Sequence, residues 1–302
     1  MTAASPESAP HTSSVRTILF ATDLTARCDR PLDRAIQLAQ QWDAKLVLLH
    51  VLEAQSDTPE NIAAAEERIR QDIEDTGIRF EIDIAEGRVA ETVEAKAAEH
   101  DADLIVTGVA RFNTFGDFVL GHEVDKLIRK TNIPVLIVKA KPRTPYQQLL
   151  VTTDFSKPSQ NALETALDLF PALPIDLANA FHVPFEGFIK AEDALAEVRA
   201  EQNEYAQSFI KKIELDPENN ERITLKLLDG TTCEAVCRHA NSLKNSLTVV
   251  GTHGRGGIRA AMIGSVAEAL LETLPGDVLM IRGAKARKKV KDTGGTRLSA
   301  LA

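Results

Sequence analysis

The residues best suited to chemistry stand near the end of the chain, in Leu247-Thr248-Val249-Val250-Gly251-Thr252-His253-Gly254-Arg255-Gly256-Gly257 and then Gly264-Ser265-Val266-Ala267. An apolar, β-branched run stops at Gly251, a glycine-rich loop follows, and Val266, Ala267, Leu270, Leu271 and Leu274 recur at helical spacing. Strand, glycine loop, helix start is an arrangement that binds anions. Glycines let backbone N–H groups approach closely, and a helix N-terminus adds unpaired N–H groups and the positive end of a dipole. The chemistry expected is therefore phosphate binding. The plainer alternative is a loop whose glycines serve only turns with positive φ. No Gly-Lys-Ser/Thr triplet occurs, so this is not a Walker A loop, and the glycine spacing is not that of the dinucleotide fingerprint.

Other candidates are weaker. The seven histidines are scattered without an HExxH pair, and His253 reads as a solvated loop residue. Cys233 and Cys237 lie four apart on an expected helix with no further ligand placed for a metal, so they read as small packed side chains. Three cysteines in 302 residues fit a reducing compartment. A net charge of −9 gives no general attraction to nucleic acid or anionic membrane. No apolar run reaches membrane-spanning length, and Met1–Ser14 lacks the apolar core of a secretory signal, so a cytoplasmic location is expected. Residues 1–14 read as a disordered leader. Residues 285–302, with Lys285, Arg287, Lys288, Lys289 and Lys291, read as a basic flexible tail.

The elements that must position the glycine loop alternate along the chain. Strands are expected at Arg16–Asp23, Lys45–Val51, Phe80–Ile84, Leu104–Gly108 and Val135–Val138, with helices near Asp29–Trp42, Pro59–Thr76, Val89–His100 and from Gly121. Several strands are apolar on both faces, the pattern of a parallel sheet covered by helices on both sides. The pattern then restarts. Leu149-Leu150-Val151-Thr152-Thr153-Asp154 repeats the run ending Ala21-Thr22-Asp23, and Ala180-Phe181-His182-Val183 is matched to Leu48-Leu49-His50-Val51. Asp229-Gly230 matches Glu86-Gly87, Val250-Gly251 matches Thr107-Gly108, and Val278–Ile281 matches Val135–Val138. The chain is a tandem duplication, with a first domain at 15–141, a second at 146–284, and a net insertion between Val183 and Arg222. The joint runs from Lys139 to Tyr146.

Gly251, two residues, Gly254, nine residues, Gly264 and Ser265 together resemble the nucleotide-binding signature of the universal stress protein family. The resemblance spans about Arg16 to Gly283. It implies an α/β fold of two tandem open αβα sandwiches, each with a five-stranded, mostly parallel sheet of the adenine nucleotide alpha hydrolase-like kind. It also implies ATP, with Mg2+, over the carboxyl ends of the strands. Carried over by position, Thr153 and Asp154 stand beside the adenosine or metal, Val183 and Val250 line the base, Gly251, Thr252 and Gly254 give room to ribose and phosphates, and Gly264, Ser265 and Val266 hold the phosphates. The first half departs from this pattern: Arg111 replaces the second glycine and His122 the serine. It reads as a degenerate half kept for packing, an alternative anion site at Arg111 and His122 being the competing reading.

Two function classes follow. One is an ATP-binding regulatory module whose nucleotide signals a conformation or assembly to an unknown protein partner. The other is an enzyme that slowly hydrolyses ATP or transfers part of it, for which the sequence offers no convincing catalytic set. A nucleotide-free interaction protein is a third reading, disfavoured by the intact second motif. The last strand of each half is expected to pair with the other inside the chain as a pseudo-dimer, and a further homodimer is left open.

Overall fold

The computed structural model describes residues 13–52, 59–109, 111–112, 118–119, 121–182, 191–252 and 263–282. The first half runs β1 (Thr17–Thr22), α1 (Asp29–Trp42), β2 (Lys45–Leu52), α2 (Pro59–Ile73), β3 (Phe80–Glu86), α3 (Val89–Glu99), β4 (Leu104–Gly108), the short ribbon β5 (Arg111–Phe112) and β6 (Phe118–Val119), α4 (His122–Lys130) and β7 (Val135–Val138). The second half runs β8 (Gln148–Thr152), α5 (Lys157–Leu169), β9 (Ile175–Phe181), α6 (Ala191–Ile213), the short α7 (Pro217–Glu221), β10 (Ile223–Asp229), α8 (Thr232–Ser242), β11 (Ser246–Gly251), α9 (Ser265–Thr273) and β12 (Val278–Ile281).

Alternating apolar residues decide the layers. Ile18 and Phe20 of β1 and Leu46 and Leu48 of β2 face α1 and α2, while Leu19, Val47 and Leu49 face α3 and α4. The second half repeats this with α5 and α6 on one face and α8 and α9 on the other. The ten main strands form one sheet in the order β10-β9-β8-β11-β12-β7-β4-β1-β2-β3. Every neighbouring pair is parallel except β7 with β12, which run antiparallel with Leu136 opposite Leu279. Two five-stranded parallel sheets are thus fused edge to edge within the chain, which covers one edge of each. In each half the first and fourth strands are adjacent (β1 beside β4, β8 beside β11), and their connections leave in opposite directions. That is the switch point, beyond whose carboxyl ends open α/β sheets take ligands.

The fused edge is held by a buried polar knot. Asp277 Oδ1 accepts from the N–H groups of Lys139 (2.8 Å) and Ala140 (3.0 Å), and its Oδ2 accepts from the Tyr146 hydroxyl at 2.6 Å. Arg34 Nε of α1 lies 3.3 Å from the same Oδ2, and the guanidinium sits 4.0 Å over the Tyr146 ring. Lys139 Nζ donates to the Leu271 and Leu274 carbonyls at the end of α9. Burial, reinforced by the Asp277 carboxylate, holds the Tyr146 phenol protonated well above its usual range, so it remains a donor. The joint is therefore anchored in the core at its two ends, Lys139 and Tyr146, while Ala140, Lys141, Arg143, Thr144 and Pro145 between them are exposed.

Two expectations need correction. Ser13 and Ser14, placed in the disordered leader, are packed: Ser13 is buried and donates its hydroxyl to the Leu169 carbonyl at 3.1 Å. The match of His50-Val51 to His182-Val183 is three residues out. Gly87 N–H donates to the Leu52 carbonyl and Gly230 N–H to the Phe181 carbonyl, so Leu52 corresponds to Phe181, Val51 to Ala180 and His50 to Asn179. An odd slip turns every strand side chain to the opposite face, and only this register puts Leu46 with Ile175 and Leu48 with Leu177 on the same layer. The extra residues of the second half lie between β9 and β10, around α6, as the sequence indicates.

Candidate functional site

The site is built on the switch point of the second half. β8 ends at Thr152, and the next residues make two successive side-chain turns. Thr153 Oγ1 accepts from the Phe155 N–H at 2.9 Å, and Asp154 Oδ1 accepts from the Ser156 N–H at 3.1 Å. Thr153 is buried, its hydroxyl is 2.9 Å from that of Ser159, and its N–H reaches the Ala178 carbonyl. Phe155 sits at φ 60, a left-handed conformation unusual for a bulky residue, with its ring against Phe209 of α6. Ser156 then caps α5 by accepting from the Ser159 N–H. Asp154, only partly buried, is held at the carboxyl end of the sheet.

The neighbouring strand β11 ends at Gly251. Thr252 follows, buried, with its N–H on the Ile281 carbonyl and its own carbonyl accepting from the Gly264 N–H at 2.8 Å. That bond draws the start of α9 to the end of β11. Gly264 is the N-cap residue, at φ −63, and supplies no side-chain cap to the first-turn N–H groups of Ser265, Val266 and Ala267. Ser265 is exposed and Val266 is half exposed, an apolar side chain left at the mouth of a helix end. The first turn carries one acidic residue, Glu268.

The glycines distinguish the two readings of the motif. Among the described residues, positive φ at glycine occurs at Gly77, Gly87 and Gly230, and not at Gly251 or Gly264. A Cβ on Gly251 would meet the Pro158 carbonyl at 3.5 Å and Ala162 at 3.7 Å, ordinary contacts. One on Gly264 would meet the Thr252 carbonyl at 3.5 Å. Among the described residues, neither turn geometry nor packing demands glycine at these two positions. Gly108, the counterpart of Gly251, is different: a Cβ there would lie 2.9 Å from the Pro31 ring.

The first half uses the same scaffold for its own contacts. Leu24 repeats the left-handed turn at φ 56, with its N–H on Thr22 Oγ1. Asp23 Oδ1 takes the Thr25 N–H and hydroxyl and the Cys28 thiol. Burial works to raise the Asp23 carboxyl, but the bonds from Thr25 and Cys28 outweigh it and hold it below the usual range. Burial pushes the Cys28 thiol up to about 11, so it stays protonated and donating. The counterpart of Cys28 is Ser159, which turns to Thr153 instead. At α4, Glu123 occupies the place of Val266: its Oε2 accepts from the Ala90 N–H and its Oε1 binds Lys126. With Asp125 also in the first turn, this helix start already carries two carboxylates.

Of the residues expected from sequence, the structure brings together Thr153, Asp154, Gly251, Thr252, Gly264, Ser265 and Val266 at one end of the sheet. Val250 is adjacent, but its side chain is buried in the layer under α8 and α9. Val183, Gly254 and the side chain of Arg111 lie outside the described residues. The register places Ala180, not Val183, at the position corresponding to Val51. Sequence reasoning missed Asn179, whose Nδ2 donates to the Thr153 carbonyl at 2.9 Å, and Glu123; the acidic helix start was legible, but the partner of Asn179 depends on register. Among the described residues, Asp83, Glu99 and His100 form a cluster of metal-ligand type, but Lys96 Nζ already lies 3.2 Å from both carboxylates. No helix among the described residues is long and apolar enough to cross a membrane.

Comparison with known proteins agrees with this architecture. The model of the Universal stress protein family matches twice, over residues 14–139 and 145–282. A universal stress protein of Mycolicibacterium smegmatis is 23% identical over 290 residues, covering 88% of this chain and 96% of its own length. One from Methanocaldococcus jannaschii is 24% identical over 148 residues, covering 46% of this chain and 84% of its own. The crystal structure of a universal stress protein from Archaeoglobus fulgidus shares the fold with a TM-score of 0.65, at 18% identity, over 90% of this chain and 100% of that one. With both halves matched in this way, the chain belongs to the universal stress protein family.

Proposed function

We propose that the second half binds one ATP, with Mg2+, at the switch point between β8 and β11, and that occupancy signals a conformational or assembly state to a protein partner in the cytoplasm during stress. The observation that carries this reading is the pair Gly251 and Gly264. Among the described residues both have room for a Cβ, and Gly264 is a helix N-cap that supplies no side-chain cap. A phosphate chain would use that room and the first-turn N–H groups, with the Ser265 hydroxyl as a further donor. Asp154 would meet the adenosine or the metal, and apolar contact at the strand ends would hold the base.

Binding rather than turnover is the function inferred. The two Asp–His pairs among the described residues, Asp83–His100 and Asp176–His239, are each 2.7 Å apart. Asp176 is the second residue of β9 and His100 follows α3 directly before β4, so both pairs stand away from the carboxyl ends where ATP would lie. Titration of the purified protein with ATP, followed by a single-turnover assay on the same sample, tests the reading. Saturable binding with nucleotide recovered intact is expected; no binding, or rapid hydrolysis, would overturn it.

A further inference from the structure

We infer that Asn179 is a positioning residue: it sets the β8 tip so that Asp154 points at the nucleotide site. The inference rests on the binding reading above for its ligand, but not for its geometry. Asn179 is the fifth residue of β9 and faces α5 and α6, with 7% of its surface exposed. Its Nδ2 donates to the Thr153 carbonyl at 2.9 Å, on the residue immediately before Asp154.

Two observations mark this as more than packing. The first is that the other half makes the same grip with different chemistry. His50, at the same register, places Nδ1 2.9 Å from the carbonyl of Thr22, which precedes Asp23. A carbonyl only accepts, so that ring nitrogen carries the proton. Two unrelated side chains thus hold corresponding carbonyls at the tips of β1 and β8, and each tip then makes the same left-handed turn at Leu24 or Phe155.

The second observation is the cost of using asparagine here. Its Oδ1 is buried and has no hydrogen-bond partner among the described residues. A buried acceptor left unpaired is unfavourable, and an apolar residue in this layer would avoid it. The side chain is therefore kept for its donor. The donor fixes the Thr153 peptide; Thr153 Oγ1 and Asp154 Oδ1 then hold the N–H groups of Phe155 and Ser156. Without the grip, the Thr153 carbonyl loses a restraint and the carboxylate of Asp154 is held less firmly in its direction.

The test compares Asn179→Leu and Asn179→His in the full chain, first without ligand and then with ATP. In the ligand-free protein, Asn179→Leu should speed amide hydrogen exchange at Phe155 and Ser156 by about tenfold or more, leaving amides in the middle of β8 and β11 unchanged. Asn179→His should keep exchange near the wild-type rate, because His50 shows that an imidazole can make the bond. With ATP, Asn179→Leu should weaken binding roughly tenfold, the loss expected for one net hydrogen bond. In an Asp154→Asn background the same change should cost nothing further, since Asn179 acts through Asp154. Unchanged exchange at Phe155 and Ser156 in Asn179→Leu, or an equal loss of affinity with and without Asp154, would overturn the inference. If the tip responds as described but the wild type takes up no ATP, the binding reading falls and the positioning role stands.

Discussion

The tips of β1 and β8 share one backbone course and differ in what their side chains are used for. In both, a threonine hydroxyl accepts from the residue two ahead, an aspartate repeats the turn, and a bulky residue sits left-handed between them. At β1 the aspartate takes three hydrogen bonds from Thr25 and Cys28, Gly108 is pressed against Pro31, and the facing helix begins with its own carboxylates. At β8 the position of Cys28 is a serine that bonds elsewhere, Gly251 has room around it, and α9 begins with an exposed Val266. The duplicated scaffold survives in both halves because it is set by apolar periodicity and backbone bonds. The proposed site depends on a handful of side chains, and in the first half Asp23 and Glu123 are engaged by Thr25, Cys28, Ala90 and Lys126.

The strongest way to break this comparison is to fill the second site. Gly254→Val should weaken ATP binding by roughly a hundredfold or more, equivalent to about 3 kcal/mol, with the thermal midpoint little changed. Affinity unaffected in a calorimetric titration would remove Gly254 from the site.

The glycine pair sharpens the contrast in stability. Gly108→Ala should destabilise by about 1–3 kcal/mol in urea, because Pro31 must move. Gly251→Ala should stay within about 0.5 kcal/mol of wild type yet weaken ATP binding. Equal stability losses at the two positions would remove the argument that Gly251 is glycine for a ligand.

Cys28 gives the contrast a pH signature. Its thiol is raised from 9.0 to about 11 in the folded chain. The unfolded state therefore loses protons first, and the stability this thiol contributes, fully present below pH 9, is lost as pH rises through about 11. Cys28→Ser, which gives β1 the residue found at β8, should remove up to about 2 kcal/mol of that decline. Parallel stability–pH curves for the two proteins from pH 8 to 11 would contradict the desolvation of the Cys28 thiol.

A smaller effect tests the base contacts. ATP should bind about tenfold more tightly than inorganic triphosphate if apolar strand-end residues hold the adenine. Equal affinities would reduce the site to an anion cradle.

The sheet, its helices and the duplication were legible because they are written locally, in apolar alternation and helical spacing that repeat within one chain. Leu247–Gly251 followed by Gly264-Ser265 announced a strand and a helix start, and both stand where expected. Register was not legible in β9. His182-Val183 imitates His50-Val51 closely enough to mislead, and the correct alignment rests on which backbone groups meet across the sheet. The knot at Asp277 was hidden for a related reason. Arg34, Lys139, Tyr146 and Asp277 are far apart in sequence, and only the antiparallel joining of β7 to β12 gathers them. The reason for each glycine was also out of reach, since Gly108 and Gly251 look alike in sequence and differ only in what lies opposite them.

On the reading proposed here, one half binds nucleotide and the other has closed its copy of the site. Equilibrium dialysis of the full chain against ATP, with the bound nucleotide counted at saturation, tests it most directly. One ATP per chain is predicted, lost in Gly254→Val and retained when Asp23 is changed to Asn. Two equivalent sites per chain, or one site lost with Asp23 instead of Gly254, would contradict the account.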